Sequence, residues 1–268
     1  MKRLNQTFGL IGCGNMGTAI LAGLLRNHLA RPNEIRVYDS VSPKMKSVAK
    51  TFKVKPAKSN EDLVHHVHVI LLAIKPQDLK LISKEIQFAL KPGQIVISIL
   101  AGTPVSKLKR FLGKASIVRA MPNLGAQVGE AVTAITSSNS RALSIAETIF
   151  SGCGKVVRLP EKYFDLVTAV SGSGPAYFFL LMELLAQTAR AGGIPEKVAK
   201  LLAIQTALGA AKLAQVSPDS PEKLRKMVTS KKGTTEAALK VLFKKKFHRT
   251  FSEAIRHAIR RARQLSKA

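Results

Sequence analysis

Three glycines, Gly12, Gly14 and Gly17, follow a short apolar run that starts at Phe8. Their spacing is typical of a turn that binds a dinucleotide. The first glycine permits a tight turn, the second lets the backbone approach a pyrophosphate, and the third lets a helix pack closely against the strand. The helix would present unpaired N–H groups and the positive end of its dipole to the phosphates. The spacing predicts a nucleotide-binding strand, turn and helix, with a purely structural glycine turn as the alternative.

A carboxylate follows at the distance where it could select the cofactor. Residues 34–39 are predicted to form a second strand that ends on Asp39, about 20 residues beyond the last glycine. A carboxylate there can hold a ribose, and it favours NAD because it repels a 2′-phosphate. Hydroxyl and ammonium groups that could bind this phosphate come next: Ser40, Ser42, Lys44 and Lys46. We expect use of both cofactors, with NADP (NADPH) modestly favoured over NAD (NADH). The alternative role of Asp39 is only to cap the helix that starts near Pro43.

A second glycine turn, Gly233-Thr234-Thr235, precedes a predicted helix near the other end of the chain. A glycine and two hydroxyls ahead of a helix would present N–H donors and the positive dipole end to a small carboxylate. The alternative is a capped helix without a ligand, since a threonine followed by Glu236 also fits N-terminal capping. The same turn could do both.

Predicted strands and helices alternate in the first half of the chain. Further strands are predicted at residues 67–74, 95–100 and 116–120, and helices at residues 78–90 and 104–112. This alternation predicts an α/β fold that begins with a Rossmann-like, doubly wound parallel sheet with right-handed crossovers. Ligands gather at the carboxyl ends of such strands, where Lys75-Pro76 and Met121-Pro-Asn123 are placed.

From about Tyr163 the pattern is helical only. The predicted helices span residues 178–191, 195–216, 221–228 and 234 to the end. We place the domain boundary near Leu159-Pro160, so that residues 1–160 form a dinucleotide-binding domain and residues 161–268 an all-helical substrate and dimerisation domain. The helices between Phe178 and Leu213 are too apolar to be buried by one helical layer, so we expect them to pack against a second subunit.

Composition limits the class of protein. The chain has 268 residues, 46% of them hydrophobic, without a run of 18 apolar residues or a cleavable signal pattern, and we expect a cytoplasmic protein without membrane contact. Cys13 and Cys153 are expected to be free thiols. The histidines His65, His66 and His68 lack a matching set of carboxylates or cysteines, so we expect no metal.

The formal net charge of +27 raises nucleic-acid binding as a rival function. The basic residues are spread over the whole chain, aromatic residues make up only 5%, and no zinc-finger spacing or aromatic RNA-binding signature is found. The densest basic stretches fall on predicted helices and are more typical of solvated faces. We therefore expect no nucleic-acid partner.

Together these segments resemble pyrroline-5-carboxylate reductase over almost the whole chain. Three matching motifs are shared in part with other nicotinamide-dependent dehydrogenases: Ile11-Gly-Cys-Gly-Asn-Met-Gly17, Ala73-Ile-Lys-Pro76 with Met121-Pro-Asn123, and Ser171-Gly-Ser-Gly-Pro-Ala-Tyr177. The fourth, Val228-Thr-Ser-Lys-Lys-Gly-Thr-Thr-Glu-Ala-Ala-Leu239, is specific to the family. The resemblance implies reduction of a cyclic imine, pyrroline-5-carboxylate, to L-proline by hydride transfer, the last step of proline biosynthesis. It also implies dimers that assemble into a ring of five.

The resemblance further implies roles for individual residues. Ser230, Gly233 and Thr234 would hold the substrate carboxylate, and Thr235, the catalytic residue, would hydrogen-bond the ring nitrogen. Ser171, Gly172 and Ser173 would interrupt a long helix near the substrate, although a mere kink needs no function. The implied cofactor-binding residues are Gly12, Gly14, Asn15, Met16, Gly17, Asp39, Ser40, Asn60, Ala73, Lys75, Pro76, Met121, Pro122 and Asn123.

Lys231-Lys232 departs from the family pattern, which usually has Pro-Gly at these positions. Proline restricts a loop and glycine permits unusual backbone angles, so their replacement by two lysines changes the conformational preferences of this loop. The main alternative enzyme is a dehydrogenase of the β-hydroxyacid type, whose chemistry needs a lysine on the interdomain helix, and residues 171–179 contain none. A basic nucleic-acid-binding protein that retains a nucleotide fold is the alternative of a different class.

Overall fold

The computed structural model describes residues 3–113 and 115–267, which form two compact units. One unit runs to Ser173 and includes the end of the last helix from Ala258, and the other comprises residues 174–257. The predicted boundary at residues 160/161 lies within the first unit and remains a proposal about domains.

The described part of the first unit contains an eight-stranded sheet, ordered β3-β2-β1-β4-β5-β6-β7-β8. Its strands are β1 (Phe8–Ile11), β2 (Ile35–Tyr38), β3 (Lys55–Pro56), β4 (Val69–Leu72), β5 (Ile95–Ser98), β6 (Ser116–Met121), β7 (Ala131–Thr136) and β8 (Gly154–Arg158). The helices between them are α1 (Asn15–Arg26), α2 (Ser42–Phe52), α3 (Asn60–His65), α4 (Leu79–Ile86), α5 (Val105–Leu112) and α6 (Ser140–Ser151). The predicted α/β fold with a doubly wound sheet is confirmed.

Helices cover both faces of this sheet because its central strands are apolar on both sides. In β4, Leu71 packs with α1, α2 and α6 on one face, and Ile70 and Leu72 pack with α3, α4 and α5 on the other. This two-sided burial explains the almost continuous apolar run in the sequence.

The sheet differs from the predicted all-parallel arrangement at one pair of strands. β6 and β7 are antiparallel, and every other neighbouring pair is parallel. The link between them holds only the 3₁₀ turn Leu124–Val128, which is too short for the crossover of about a dozen residues that parallel pairing needs.

After β8 the described chain is helical. The helices are α7 (Phe164–Val167), α8 (Gly174–Ala191), α9 (Glu196–Val216), α10 (Pro221–Met227), α11 (Thr234–Lys244) and α12 (Phe247–Lys267), with a wide π-type turn at Thr168–Gly172. The single helix predicted from Thr234 to the end is wrong, because Lys246 adopts a left-handed conformation with φ 58° that ends α11 before α12 begins.

Candidate active site

The three glycines of the first turn differ in what surrounds them. Gly12 has φ +98°, and a Cβ there would lie 2.5 Å from the carbonyl oxygen of Ala73. A Cβ on Gly17 would collide with the carbonyl oxygen of Gly12, whereas a Cβ on Gly14 would meet nothing within 4 Å. Gly12 and Gly17 are therefore required by packing, and Gly14 leaves open space where the chain enters α1.

The register of the sheet brings the ends of β1, β2 and β4, and so the loops that follow them, to the same edge of the sheet. Ile11 at the end of β1 pairs with Tyr38 on one side and with Leu72 on the other. The residues that follow these strands therefore emerge side by side, at the point where the strand order reverses. This is the usual ligand-binding position of an open α/β sheet.

A cleft of about 650 Å³ opens at this edge of the sheet. Nine of the predicted cofactor residues line it: Gly12, Gly14, Asn15, Met16, Asp39, Ser40, Asn60, Ala73 and Lys75. The lining does not include Gly17, Pro76, Met121, Pro122 or Asn123. It does include Tyr38, Gln77 and Glu85, which the motifs did not indicate.

Asp39 is held by two backbone amides. Its Oδ2 accepts the N–H of Cys13 at 2.7 Å, and its Oδ1 accepts the N–H of Val41 at 2.8 Å. α2 begins after Val41 without a side-chain cap, so Asp39 does not cap it as a conventional N-cap residue. The carboxylate instead joins the glycine turn to the loop after β2.

Both cysteines are free thiols, as predicted, and both are buried. Burial, with a smaller contribution from the Asp39 carboxylate, raises the pKa of the Cys13 thiol to about 12, and Lys44 acts weakly in the opposite sense. Burial also raises the pKa of Cys153 to about 11. Neither sulfur is therefore a thiolate near neutral pH, and neither is suited to act as a nucleophile.

Asn60 is buried at the wall of the cleft, with 2% of its surface exposed. Its Nδ2 donates a hydrogen bond to Oε2 of Glu85 at 2.7 Å, while its Oδ1 has no hydrogen-bond partner among the described residues. Glu85 fixes the orientation of the amide, because a carboxylate can only accept. Sequence motifs missed Glu85 because it lies on α4, remote in the chain from Asn60.

The end of β6 contacts the wide turn before α8. Oδ1 of Asn123 accepts the N–H of Gly125 at 3.2 Å, and its Nδ2 donates to Oγ of Ser171 at 3.2 Å. A Cβ on Gly172 would lie 2.5 Å from Cε of Met121. The structure thus brings Met121 and Asn123 together with Ser171 and Gly172, and none of these four residues lines the cleft.

The predicted helix break at Ser171–Ser173 is a π-type turn. The N–H of Ser173 donates to the carbonyl of Thr168 at 2.8 Å, a step of five residues where an α-helix uses four. Such turns accommodate one extra residue without ending the helix, and they occur often at functional sites. All three predicted residues are only partly buried.

The second glycine turn lies in the helical unit. Gly233 is the N-cap of α11 in an extended conformation and has no side-chain capping bond. Its N–H donates to the carbonyl of Ser230, and a Cβ on Gly233 would collide with Oγ of Ser230. Glu236 reaches back to accept the N–H of Lys232 at 2.7 Å. Glu236 therefore takes part in N-terminal capping. The first N–H groups of α11 have no partner within the helix and point out of its N-terminal end.

The loop keeps its turn although lysines replace the usual Pro-Gly. Lys232 adopts the left-handed conformation with φ 61°, which a glycine would adopt without strain. Both Lys231 and Lys232 are exposed.

The three histidines have separate neighbours. His65 lies 3.7 Å from Glu61, His66 3.4 Å from Asp62, and Nδ1 of His68 2.8 Å from Oγ1 of Thr7. Among the residues that the structure describes, no three histidine, cysteine or acidic side chains form a group that could hold a metal ion.

Comparisons with known proteins point to one family. The family model described as pyrroline-5-carboxylate reductase dimerisation matches residues 161–265, and the one described as NADP oxidoreductase, coenzyme F420-dependent, matches residues 7–102. A pyrroline-5-carboxylate reductase of Synechocystis is 39% identical over 97% of this chain and 98% of its own length.

Solved structures agree with the sequence comparison. A pyrroline-5-carboxylate reductase from Coxiella burnetii has a TM-score of 0.91 at 34% identity and covers 99% of this chain and 100% of its own. The pyrroline carboxylate reductase of Plasmodium falciparum, solved with NADP bound, has a TM-score of 0.89 at 28% identity and covers 98% of this chain and 99% of its own.

Proposed function

Because this chain belongs to the pyrroline-5-carboxylate reductase family, we propose that NADPH and pyrroline-5-carboxylate bind at the two glycine turns described above. The chain is an oxidoreductase that acts on a CH–NH bond, and it reduces the cyclic imine to L-proline in the last step of proline biosynthesis. The observation that carries the assignment of sites is the shared geometry of the turns, each of which leaves a helix N-terminus without a side-chain cap.

The cleft of the first unit fits an extended phosphate-bearing cofactor. Gly14 leaves open space at the N-terminus of α1, and no described residue donates a hydrogen bond to the buried Oδ1 of Asn60. Gly12, Gly14, Asn15 and Met16 would hold the phosphates, with Gly17 acting through packing. Ser40 and Asn60 would hold the adenosine end. The nicotinamide side would be formed by Ala73, Lys75, Pro76, Met121, Pro122 and Asn123. When bound, NADPH supplies the hydride that reduces the imine carbon.

The substrate is a small ring with one carboxylate and one nitrogen. Ser230, Gly233 and Thr234 would hold the carboxylate through hydroxyl and N–H donors at the positive end of α11. The hydroxyl of Thr235 would hydrogen-bond the ring nitrogen, which gains a proton during the reaction. Ser171, Gly172 and Ser173 would shape the substrate side of the wide turn. These roles require orientation and charge stabilisation but no acid–base pair, in agreement with a site without a His/Asp pair.

The chain forms a homo-oligomer through its family dimerisation region, residues 161–265. α8 and α9 expose many apolar side chains in the single chain, among them Phe178, Phe179, Leu184, Leu185, Leu201 and Leu208.

The helical stretch Glu161–Ala191 is long and apolar enough to cross a membrane, but it lies within the dimerisation region, and a partner subunit would cover it. The dimer, its assembly into a ring of five dimers, and a cytoplasmic location are proposals. Light scattering that gives the mass of ten chains would support the ring, and a dimer mass would exclude it.

The activity is tested with purified protein by following oxidation of NADPH, and separately of NADH, with and without pyrroline-5-carboxylate. The expected result is substrate-dependent oxidation that yields L-proline, identified by mass spectrometry. Oxidation of a β-hydroxy acid with NADP and no imine reduction would favour the alternative dehydrogenase. Salt-sensitive retention of DNA or RNA without any turnover would favour the nucleic-acid-binding alternative.

A further inference from the structure

Both carboxylate oxygens of Asp39 accept hydrogen bonds from the protein backbone. Oδ2 accepts the N–H of Cys13 at 2.7 Å, and Oδ1 accepts the N–H of Val41 at 2.8 Å. An ionised carboxylate can only accept hydrogen bonds, and bonds of this length to a charged group are of the strong type. The side chain is half-buried, so these bonds are partly shielded from water.

The two donors belong to two separate loops of the cofactor cleft. Cys13 lies inside the glycine turn after β1, between Gly12 and Gly14, whereas Val41 lies in the loop that connects β2 to α2. Both loops line the same cleft. Removal of the carboxylate would leave two backbone donors without their acceptor and would break the link that Asp39 makes between these loops.

The loop after Asp39 has the chemistry to bind a phosphate monoester. Ser40 and Lys44 line the cleft, and Asp39 is the only acidic residue between positions 39 and 46. Neither Lys44 nor Lys46 takes part in an ion pair within the described residues. A hydroxyl and an unpaired ammonium group at the start of a helix are the groups that such a phosphate requires.

We propose that Asp39 is a positioning residue that ties the glycine turn to the loop Ser40–Lys44, so that this loop recognises the 2′-phosphate of NADPH. On this proposal Asp39 does not hold the ribose. Its negative charge is directed at two amide dipoles, which lessens its repulsion of a nearby phosphate. The expected preference for NADPH over NADH then depends on Asp39, whereas its position in the motif suggested that it opposes NADPH. The inference rests on the proposed function, because it concerns the same cofactor.

The test measures the dissociation constants of NADPH and NADH by cofactor fluorescence, together with the melting temperature of the protein without cofactor. Asp39→Asn keeps the shape but replaces one acceptor oxygen by a donor. It should weaken NADPH binding about tenfold, the value of one hydrogen bond, and NADH binding by a smaller factor of about three. The ratio of the two constants should therefore shift against NADPH, and the melting temperature should fall by about 3 °C.

Two variants of Val41 test the hydrogen bond that Oδ1 of Asp39 accepts from the Val41 N–H. Val41→Pro lacks the N–H that Oδ1 accepts, and the φ of −88° at Val41 is near the range of proline. It should reproduce the selective loss of NADPH. Val41→Ala keeps the N–H and gives the effect of losing the valine side chain alone, which is subtracted from the effect of Val41→Pro. In the double variant Asp39→Asn/Val41→Pro the effects should not add, because each change alone breaks the link that Asp39 makes between the two loops.

Each other outcome overturns the inference in a distinct way. Tighter NADPH binding by Asp39→Asn would show that the carboxylate repels the 2′-phosphate. A selective loss of NADH would show that it holds the ribose. A lower melting temperature with an unchanged ratio would show that Asp39 only stabilises the fold. Failure of the wild type to bind either cofactor would instead refute the proposed function.

Discussion

Two helices begin with the same capping geometry in two different units of this protein. The N-cap of α1 is Gly14 with φ −73° and ψ 177°, and the N-cap of α11 is Gly233 with φ −84° and ψ 170°. Neither glycine has a side chain that could satisfy the first N–H groups of its helix. Both helix ends are therefore suited to an anionic ligand, one to phosphates and the other to a carboxylate.

The two turns differ in how closely the surrounding protein encloses them. The first turn is enclosed by backbone, since a Cβ on Gly12 would lie 2.5 Å from the carbonyl oxygen of Ala73, and Asp39 fixes it from the side. The second turn is exposed at Ser230 and Thr234 and includes Lys232 in a left-handed conformation. On the proposed assignment of sites, a rigid backbone would bind the large cofactor, and side-chain hydroxyls on a more accessible loop would bind the small substrate.

The largest effect should come from a methyl group in the rigid turn. Gly12→Ala adds a Cβ at φ +98° against the Ala73 carbonyl, and we expect a loss of about 3 kcal/mol of unfolding free energy from strain and overpacking. Chemical denaturation measures this loss. The matched control is Gly14→Ala, where the new Cβ meets no protein atom within 4 Å. It should fold normally and still weaken NADPH binding; equal stability of all three proteins would contradict the rigid-turn argument.

In the second turn, loss of a hydroxyl should affect chemistry and leave folding intact. Thr235→Ala removes the hydrogen bond that we assign to the ring nitrogen, which corresponds to about 1.5 to 3 kcal/mol, or roughly 10- to 150-fold in kcat/KM. The melting temperature and NADPH affinity should stay at wild-type values. Thr250→Ala, an exposed threonine of α12, serves as the control. Unchanged catalytic efficiency in Thr235→Ala would remove this residue from the mechanism.

A smaller effect concerns the strain at Lys232. Lys232→Gly should raise the unfolding free energy by about 1 kcal/mol, since glycine adopts φ 61° without the steric cost that a Cβ brings. Lys231→Gly is the matched control, because Lys231 is not in a left-handed conformation and should gain nothing. If both variants were destabilised equally, the conformation of the loop in solution would differ from the one described.

The smallest effect concerns the charges of the same loop. Two exposed cations beside a carboxylate site should attract the substrate, and salt screens such attraction over about 10 Å at 0.1 M. Lys231→Pro/Lys232→Gly should therefore keep turnover but reduce the salt dependence of kcat/KM for the imine. Identical salt profiles would assign both lysines to the general basic surface, and complete loss of activity would show that the loop needs a different geometry.

Local patterns predicted the first turn well, because its strand, glycines and helix are adjacent in the chain. The hydrogen bond from Cys13 to Asp39 was not predictable from these patterns, since it depends on the pairing of β1 with β2. Glu85 was missed for the same reason, as it meets Asn60 only through the packing of α3 and α4. Contacts of this kind need the tertiary structure.

The sequence patterns also failed to predict the strands and the helix between Asn123 and Leu159. β7, α6 and β8 were not predicted, although Ala142, Ala146, Ile149 and Phe150 are buried at helical spacing in α6. The antiparallel pairing of β7 with β6 interrupts the alternation on which the fold prediction relied. β3 has only two exposed residues, so its place in the sheet comes from backbone pairing alone.

The outermost strands limit how copies of this protein can meet. At one edge, β3 offers only Lys55 and Pro56, and a proline has no N–H to donate to an incoming strand. At the other edge, β8 carries Lys155 and Arg158, both exposed. Short edges with lysine, arginine and proline discourage strands of another chain from extending the sheet, which would lead to open-ended fibrous growth. Assembly is thereby directed to the helical surface, where it can close and stop.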